Sequence, residues 1–300
     1  MRSPLVSVVI PVHDRALIVP RAIGSALGQT VTDVEVIVVD DHSADDLAST
    51  LDNLADPRLR TIRQPDRRGA AAARNAGIRA ARGRYIAFLD SDDEWLPEKL
   101  HCQLEALDRH RDKTRLVVTG CHLDRGAGRR EQRAPPTSAD QRAVILSGQA
   151  FSLGSTGLID RTTFLQVGCF DESLHRLEDW DWLLRYSQTH DLLPVPQPLA
   201  IIHVTDRAIG PEVKAAIQRL RQKHGPGIAG EGRARARRFK SATALELALR
   251  AYLDGRYPAF VRHLVAAVIA DPRVLKRLSS RIGGRLSALP HRLAGRHRRA

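Results

Sequence analysis

Two aspartates, Asp90 and Asp92, follow an uncharged apolar run at residues 85–89 and have the chemistry of metal ligands. The run predicts a buried strand. Unpaired buried carboxylates cost several kcal/mol each, so packing alone gives no reason for them at this point. Two residues apart on a period of two, they are expected to face the same way. Converging carboxylates suit a hard divalent cation, Mg²⁺ or Mn²⁺, which in turn suits a diphosphate.

Two other predicted apolar strands, at residues 5–10 and 34–39, also run into polar or turn-forming residues. The residues that follow are Pro11, Val12, His13 and Asp14 after the first and Asp40 and Asp41 after the second. Strands that are apolar throughout indicate burial on both faces, and hence a parallel sheet covered by helices. Ligands bind at the carboxyl ends of such strands. We therefore expect the active site at this edge of the sheet.

The segments between the strands predict helices. Residues 19–29 carry apolar residues on one helical face and form a right-handed βαβ unit with their flanking strands. An alanine-rich helix is expected at 70–81. A further helix is expected to begin near Trp95, with Asp93 as its N-cap. Residues 154–157 are expected to form a flexible strand-to-loop segment that shapes the acceptor pocket.

Five motifs, in the same order and spacing, resemble the family-2 glycosyltransferases. They lie at residues 6–15, 35–43, 69–77, 90–92 and 178–183. One acidic triplet is a weak signal, whereas five motifs in order are a strong one. The resemblance covers residues 3–205. His13 and Asp14 depart from the family, which often has an aromatic residue and an asparagine at these positions.

The resemblance implies the GT-A nucleotide-sugar-binding fold, an α/β architecture with a Rossmann-like, mostly parallel sheet. It also implies transfer of a sugar from a nucleoside diphosphate sugar to an acceptor hydroxyl. The expected acceptor is a glycan or a lipid-linked molecule, and the expected setting is the synthesis of a cell-surface polysaccharide or glycolipid.

The matching positions carry implied roles in binding the donor. Asp92 would hold the cation that neutralises charge on the diphosphate, and Asp90 would ligate through water or hold the donor's ribose. Asp41 and the backbone at 11–13 would bind the nucleobase, and Arg74 would reach a phosphate. The full set of implied donor-binding residues is Pro11, Val12, His13, Asp14, Asp40, Asp41, Arg74, Asp90 and Ser91.

Asp179 resembles the family's general base, which takes the proton from the acceptor hydroxyl. A single displacement with such a base inverts the anomeric configuration. Burial beside Trp180 is expected to raise the pKa of Asp179. Glu178 is the second catalytic candidate. His203, at a predicted strand end, is the expected third metal ligand beside Asp90 and Asp92.

The same residues also have structural interpretations. Glu178 and Asp179 would complement the dipole at a helix N-terminus. Asp40 would be a turn or cap residue, and Arg74 an exposed helical arginine. A lone histidine such as His203 is more often structural than a ligand.

Positive charge is concentrated in the last third of the chain. The net charge is +13, but residues 206–300 hold 22 Lys and Arg against 6 Asp and Glu, whereas residues 1–205 hold 25 against 28. We therefore expect a catalytic domain at 1–205, a basic helical region at 206–300 and no nucleic-acid partner. Two alternatives stay open: a non-catalytic nucleic-acid-binding module that uses the basic region, and a nucleotidyltransferase acting on sugar phosphates. The usual G-x-G-T-R loop of the latter is absent after the first strand.

The basic region predicts helices of its own. A helix is expected at 214–224, a linker or turn at 225–232, and two antiparallel helices at 241–270. Leucines and isoleucine then recur every three or four residues over 275–293, with arginines between them. This basic amphipathic pattern is expected either to bind a membrane surface peripherally, through 272–300, or to pack on the catalytic domain.

Cysteine usage and hydropathy favour a cytoplasmic protein, and the basic region adds the expectation of peripheral binding at the inner face of the cell membrane. Cys102, Cys121 and Cys169 form no C-x-x-C pair, which favours small buried residues in a reducing compartment. No apolar stretch approaches the ~18 to 20 residues needed to span a bilayer, and the first strand starts too early to leave room for a signal peptide. A loop at 124–140 is expected to help select the acceptor.

Overall fold

The central strands of the sheet are apolar along their length and pair in parallel. The computed structural model describes residues 3–110, 114–126, 128–148, 152–204 and 212–275. β1 (Val6–Val12), β2 (Val34–Asp40) and β4 (Tyr85–Phe88) are buried at every residue. β1 pairs in parallel with β2 and with β4, and β3 (Leu59–Arg63) pairs in parallel with β2. The parallel sheet predicted from the apolar runs is confirmed for these strands.

The connections between these strands are helical, as predicted for residues 19–29 and 70–81. α1 (Val19–Leu27), α2 (Leu47–Asp52) and α3 (Ala70–Ala80) follow β1, β2 and β3 in turn. α3 begins after Gly69, whose φ of 88° lies in the left-handed region that glycine adopts without strain. Alternation of strands and helices brings the carboxyl ends of β1, β2 and β4 to one edge of the sheet.

The second half of the sheet is mixed. Its strands are β5 (Glu94–Trp95), β6 (Thr114–Asp124), β7 (Arg130–Arg133), β8 (Gly157–Asp160) and β9 (Asp191–His203). β8 runs antiparallel to both β4 and β6, and β9 runs parallel to β6 and antiparallel to β5. The strand order is β3-β2-β1-β4-β8-β6-β9-β5, with β7 beside β6. The expected loop at 124–140 therefore contains β7, which forms a hairpin with the end of β6.

Five helices accompany these strands, and two local predictions are wrong here. The helices are α4 (Lys99–Arg109), α5 (Gln141–Leu146), α6 (Leu153–Thr156), α7 (Thr163–Val167) and α8 (Glu178–Tyr186). The helix expected near Trp95 begins only at Lys99, because Glu94 and Trp95 pair with β9 as β5. Residues 154–157, expected as a flexible loop, form the buried turn α6 and the start of β8. Tertiary packing overrides the local glycine signal in this segment.

A buried lysine lies beneath the edge strands. Nζ of Lys99 donates to Oε1 of Gln103 at 2.8 Å and lies 4.0 Å from the centre of the Trp95 ring. Nε2 of Gln103 donates in turn to the carbonyl groups of Val117 and Thr156. Burial lowers the pKa of Lys99 well below its ordinary value, so the interior favours its neutral amine.

The chain divides into two compact units, one within residues 1–145 and 149–212 and the other within 146–148 and 213–300. The second unit contains most of α9 (Glu212–Gly230) together with α10 (Arg233–Leu253) and α11 (Tyr257–Ala270). α10 and α11 form the expected antiparallel hairpin, with Tyr252 against Phe260 near the turn and Ser241 bonded to the carbonyl of Ala267 near the other end. The domain boundary expected at 205/206 and the basic amphipathic pattern beyond residue 275 lie outside the described residues.

The linker expected at 225–232 is wrong. α9 continues to Gly230 with Pro226 inside it. Proline removes one helical hydrogen bond and glycine lowers helix propensity. His224 and Ile228 are buried on either side of this proline. Their burial stabilises the helix across the unfavourable residues.

Within the described residues, no helix is both long enough and apolar enough to span a membrane.

Close packing of α3 on β1 depends on Gly77. A Cβ atom at this position would lie 2.2 Å from Cγ1 of Val9. We expect Gly77→Ala to lower the free energy of unfolding by about 1–3 kcal/mol, because the helix and strand must separate. Gly24, inside α1, has nothing within 4 Å of its virtual Cβ. Gly24→Ala should therefore raise stability by about 0.5–1 kcal/mol. Urea unfolding measures the free energy of unfolding of both variants. Equal changes in the two variants would contradict the packing role of Gly77.

Candidate active site

The loops after β1 and β2 are joined by hydrogen bonds. Nδ1 of His13 lies 2.9 Å from the carbonyl oxygen of Asp41. The backbone N–H of Asp14 donates to Oγ of Ser43 at 3.0 Å, and the N–H of Ala44 donates to Oδ1 of Asp14 at 2.7 Å. This bond from Ala44 lowers the pKa of Asp14. The two segments predicted to bind the donor therefore form one connected wall.

Pro11 and Val12 contribute backbone to this wall. They are the last two residues of β1 and their side chains are buried. The carbonyl of Val12 accepts the N–H of Asp41 at 2.8 Å.

Asp40 is a buried turn residue as well as a strand end. Its Oδ1 accepts the N–H of Ser43 at 2.8 Å, and its Oδ2 accepts Nη1 of Arg63 at 2.7 Å. Both contacts fix the loop after β2. These contacts agree with the interpretation of Asp40 as a turn residue.

Asp41 connects the end of β2 to the start of α3. Its Oδ1 accepts Nε2 of Gln64 at 2.6 Å and the N–H of Arg68 at 2.8 Å, and its Oδ2 accepts the N–H of Gly69 at 2.8 Å. A carboxylate offers about four acceptor positions, so one further donor can be accommodated.

Arg74 is buried, so the alternative of an exposed helical arginine is wrong. Only 7% of the residue is exposed. Its Nη2 donates to Oδ1 of Asp90 at 2.7 Å and its Nη1 donates to Oε1 of Glu178 at 2.6 Å. Burial acts to lower the pKa of Arg74, but the carboxylates of Asp90 and Glu178 outweigh it and raise the pKa above its ordinary value. Arg74 thus joins the end of β4 to the start of α8.

Asp90 and Asp92 lie in a turn rather than along a strand. β4 ends at Phe88, and the N–H of Asp93 donates to the carbonyl of Asp90 at 2.9 Å. Strand alternation therefore does not set their directions, and each pairs with a different arginine. Nη1 of Arg15 lies 2.7 Å from Oδ1 of Asp92.

Ser91 shares the arginine of its neighbour. Its Oγ accepts Nη1 of Arg15 at 2.8 Å, and the serine is buried. Arg15, in the loop after β1, thereby fixes both Ser91 and Asp92 at the end of β4.

Asp93 does not cap a helix. The residue is 3% exposed; its Oδ2 accepts Oγ–H of Ser155 at 2.5 Å and its Oδ1 accepts the N–H of His203 at 3.0 Å. Burial, together with the charges of Asp90 and Asp92, raises the pKa of Asp93 to about 8. The carboxyl group therefore joins the turn after β4 to α6 and to the end of β9.

Glu178 and Asp179 are the first two residues of α8. The N–H of Trp180 donates to Oδ1 of Asp179 at 2.8 Å. Burial, and then the charge of Glu178, raise the pKa of Asp179 to about 7, against the lowering effects of Arg74 and of the Trp180 N–H. The upward shift expected from burial is confirmed.

Two of the predicted metal ligands, Asp90 and Asp92, lie at the active-site edge of the sheet, whereas the third, His203, contacts Glu94. Nε2 of His203 lies 2.7 Å from Oε1 of Glu94, and Glu94 is also 3.3 Å from Nε of Arg21. Among the residues that the structure describes, no three His, Cys, Asp or Glu side chains are grouped so as to hold a metal ion. Mg²⁺ usually takes only one or two carboxylates and completes its shell with phosphates and waters. The carboxylates of Asp90 and Asp92 fit that requirement by type and number.

Sequence reasoning missed the supporting contacts of three positions in the site. Arg15 is the partner of Asp92. A Cβ atom at Gly154 would lie 2.9 Å from both carboxylate oxygens of Asp90, so only glycine fits there without a shift. Asn75 exchanges two hydrogen bonds with the backbone of Phe170, which fixes the chain ahead of α8. Arg15 and Asn75 lie inside the family motifs, and this membership could have indicated their importance. Nothing near Gly154 in the sequence indicates its contact with Asp90.

The raised pKa of Asp179 should make stability depend on pH. The carboxyl keeps its proton up to about pH 7 in the folded protein but loses it near pH 3.8 when unfolded, so this group weakens the fold as pH rises between these values. We expect the stability of Asp179→Asn, relative to the parent protein, to increase from pH 5 to pH 8 in chemical unfolding. Asp52→Asn, at an exposed position in α2, is the control. A constant difference across this range would refute the shift.

Comparisons with known proteins agree with this geometry. The mannosyltransferase PcManGT from Pyrobaculum calidifontis, solved with GDP-Man and Mn²⁺, superimposes with a TM-score of 0.57 at 20% identity, over 94% of this chain and 81% of that one. The expected GT-A fold is confirmed.

Two curated relatives align with shorter segments. The succinoglycan biosynthesis protein ExoO of Rhizobium meliloti is 48% identical over 107 residues, 36% of this chain and 31% of ExoO. The Escherichia coli protein WfaP, named as a UDP-Glc:alpha-D-GlcNAc-diphosphoundecaprenol beta-1,3-glucosyltransferase, is 38% identical over 104 residues, 35% of this chain and 41% of WfaP. The chain thus spans less than half the length of each. A family model described as Glycosyl transferase family 2 matches residues 7–165, more than half of the 300 residues. The chain belongs to glycosyl transferase family 2.

Proposed function

We propose that this protein transfers a sugar from a nucleoside diphosphate sugar to an acceptor hydroxyl, in the synthesis of a polysaccharide or glycolipid. The observation that carries the proposal is the position of Asp179, half-buried at the start of α8 beside the Arg74–Glu178–Asp90 network, in a chain of glycosyl transferase family 2. Family membership also argues against the nucleotidyltransferase and nucleic-acid-binding alternatives.

The donor would bind along the wall formed by the loops after β1 and β2. Asp41 retains room for one more donor group, which suits an N–H of a nucleobase, and the backbone at 11–14 lies beside it. Nε of Arg74 is buried with no hydrogen-bond acceptor among the described residues. An unsatisfied buried N–H is costly, and a donor phosphate oxygen would supply the missing acceptor. PcManGT, which has the same fold, was solved with a nucleotide sugar.

Asp90 and Asp92 would hold a divalent cation, Mg²⁺ or Mn²⁺, with His203 as a further proposed ligand. The bound cation would neutralise charge that develops on the leaving diphosphate. Arg15 neutralises Asp92 in the structure, so it must give up or share this contact when the cation binds. PcManGT was solved with Mn²⁺.

Asp179 would accept the proton of the acceptor hydroxyl as its oxygen attacks the anomeric carbon. A base is most effective when its pKa lies near the working pH, and that of Asp179 is raised to about 7. Glu178 contributes to this shift and holds Arg74 in place. Direct attack on the face opposite the leaving group gives inversion of configuration.

We expect Asp179→Asn to lower turnover about a hundredfold or more, because the amide cannot accept the proton. Donor affinity should change little. The kcat/KM of the parent enzyme should rise with pH through about 7, following deprotonation of Asp179. Steady-state kinetics with a radiolabelled nucleotide sugar, with donor binding measured by calorimetry, makes both comparisons. Retention of most of the turnover would remove Asp179 from the mechanism.

We expect Asp92→Ala to abolish the metal dependence of nucleoside diphosphate binding and to leave the fold intact. The Asp92 side chain is partly exposed and pairs with Arg15 rather than with the core, so its loss affects packing little. Thermal shifts with UDP or GDP, with and without Mn²⁺, measure the effect, and Asp52→Ala is the matched control. The assignment of Asp92 to the metal fails if the variant keeps the metal-dependent shift of the parent protein.

The acceptor is proposed to be lipid-linked and the protein to be cytoplasmic and peripheral at the inner membrane face. The name of WfaP specifies a diphosphoundecaprenol-linked acceptor. Four large apolar residues of α11 are 50–72% exposed at intervals of four: Tyr257, Val261, Val265 and Ile269. This spacing puts them on one helix face. Such a face, followed in sequence by the basic residues of 276–300, suits the headgroup region of an anionic membrane, where each basic residue adds about 1 kcal/mol.

We expect the full chain to co-sediment with anionic vesicles in a salt-sensitive manner, and a chain ending at Leu275 to bind less. This end point keeps Val274, which is fully buried in the second unit. Val265→Glu in the full chain should also weaken binding, because it places a charge in the apolar face. Neutral vesicles serve as the control. If all three proteins sediment equally, neither the apolar face of α11 nor residues 276–300 contribute to membrane binding.

A further inference from the structure

A cavity lies at the opposite edge of the sheet from the candidate active site. It has a volume of about 890 Å³. Its lining residues precede β1, β2 and β4, lie at the start of β6 or the end of β8, or follow β8 as far as α7. The register explains this grouping, because β8 is antiparallel to β4 and Tyr85 at the start of β4 pairs with Asp160 at the end of β8. A strand of seven residues spans roughly 20 Å, so this cavity is well separated from the carboxylates at the other edge.

The cavity is lined by four arginines and two aspartates. They are Arg82, Arg84, Arg115, Arg161, Asp33 and Asp160. All four arginines are exposed to solvent, and the volume lies within the range typical of small-molecule sites.

The carboxylate of Asp160 is largely satisfied within the protein. Its Oδ1 accepts both the N–H and the Oγ1–H of Thr162, at 2.9 and 2.6 Å, and its Oδ2 lies 3.3 Å from Nη1 of Arg115. Within the described part of the chain, no carboxylate lies at ion-pair distance from Arg82, Arg84 or Arg161. These three guanidinium groups therefore have no ion-pair partner among the described residues.

The backbone that carries these arginines is rigidly held. The N–H of Arg82 donates to Oε1 of the buried Glu35 at 2.8 Å, and the N–H of Arg161 donates to the carbonyl of Arg84 at 2.9 Å. Between them, a Cβ atom at Gly83 would lie 2.6 Å from the backbone nitrogen of Ser7. The Arg84 guanidinium lies 5.1 Å from the centre of the Tyr85 ring. The arginines thus project from a fixed frame, which lowers the entropic cost of binding a ligand.

We propose that this cavity is a binding site for a phosphate-bearing anion with two or more negative charges. Guanidinium groups pair with phosphate oxygens through two parallel hydrogen bonds, and three of them facing one cavity favour a diphosphate or a phosphomonoester over a single carboxylate. A phosphorylated small molecule and the headgroup of an anionic lipid share this chemistry. The site is separate from the donor site and does not depend on a metal ion.

Calorimetric titration of the full chain with pyrophosphate, in EDTA and at low ionic strength, tests the site. EDTA suppresses binding that needs a cation at Asp90 and Asp92. We expect saturable binding that the double variant Arg82→Gln/Arg161→Gln weakens at least tenfold, since each charged hydrogen bond lost is worth about that factor. Arg79→Gln/Arg109→Gln removes the same charge from exposed positions that do not line the cavity and should bind as the parent does. Unfolding curves of both variants confirm that they are folded.

A second arm, flotation with phosphatidylglycerol vesicles, separates the two sources of phosphate. If the Arg82/Arg161 variant binds pyrophosphate more weakly but binds vesicles as the parent protein does, the ligand is a soluble phosphate compound. Weaker vesicle binding in that variant, without pyrophosphate binding by the parent protein, identifies a lipid headgroup. The proposal is overturned if the parent protein binds neither probe, or if the two double variants behave alike in both arms.

Discussion

The buried guanidinium of Arg74 is the interaction on which the acidic edge depends. It lies between the carboxylates of Asp90 and Glu178, and it also offsets the charge of Asp179. Without it, several carboxylates would face one another in a region of low dielectric, and each would cost several kcal/mol. The arginine in turn could not be buried without them. The end of β4 and the start of α8 are therefore held together by a mutual requirement rather than by apolar packing.

Arg74 is itself positioned by a chain of contacts that begins at β2. Asp41 accepts the N–H groups of Arg68 and Gly69 and so sets where α3 starts. Next to Arg74 in this helix, Asn75 is bonded to the backbone of Phe170, ahead of α8. Residues from the second and third motifs thus act as a frame for the last two. A change in any of them would act on the chemistry through the position of Arg74.

The three central parallel strands β1, β2 and β4 and the residues after their carboxyl ends could be predicted from sequence, because continuous apolar runs have few alternatives to a buried parallel sheet. What could not be predicted are the pairings over long separations. Ser155, the partner of Asp93, is 62 residues away from it, and Ser91 is 76 residues from Arg15. Local rules assigned Asp93 to a helix cap because capping is what an aspartate does with its neighbours in sequence. Tertiary packing gave it a different partner and buried it.

Burial disfavours the charged forms of Asp93 and Lys99, two groups of opposite type in the first unit. Burial raises the pKa of Asp93 to about 8 and lowers that of Lys99 well below its ordinary value. On unfolding, the pKa of Asp93 falls, so this carboxyl releases its proton more readily, and the pKa of Lys99 rises, so this amine takes up a proton more readily. The first exchange weakens the fold as pH rises, and the second strengthens it. The two pH dependences have opposite signs and partly cancel. The free energy of unfolding could therefore change little with pH even though Asp93 and Lys99 are each unfavourable in their charged forms.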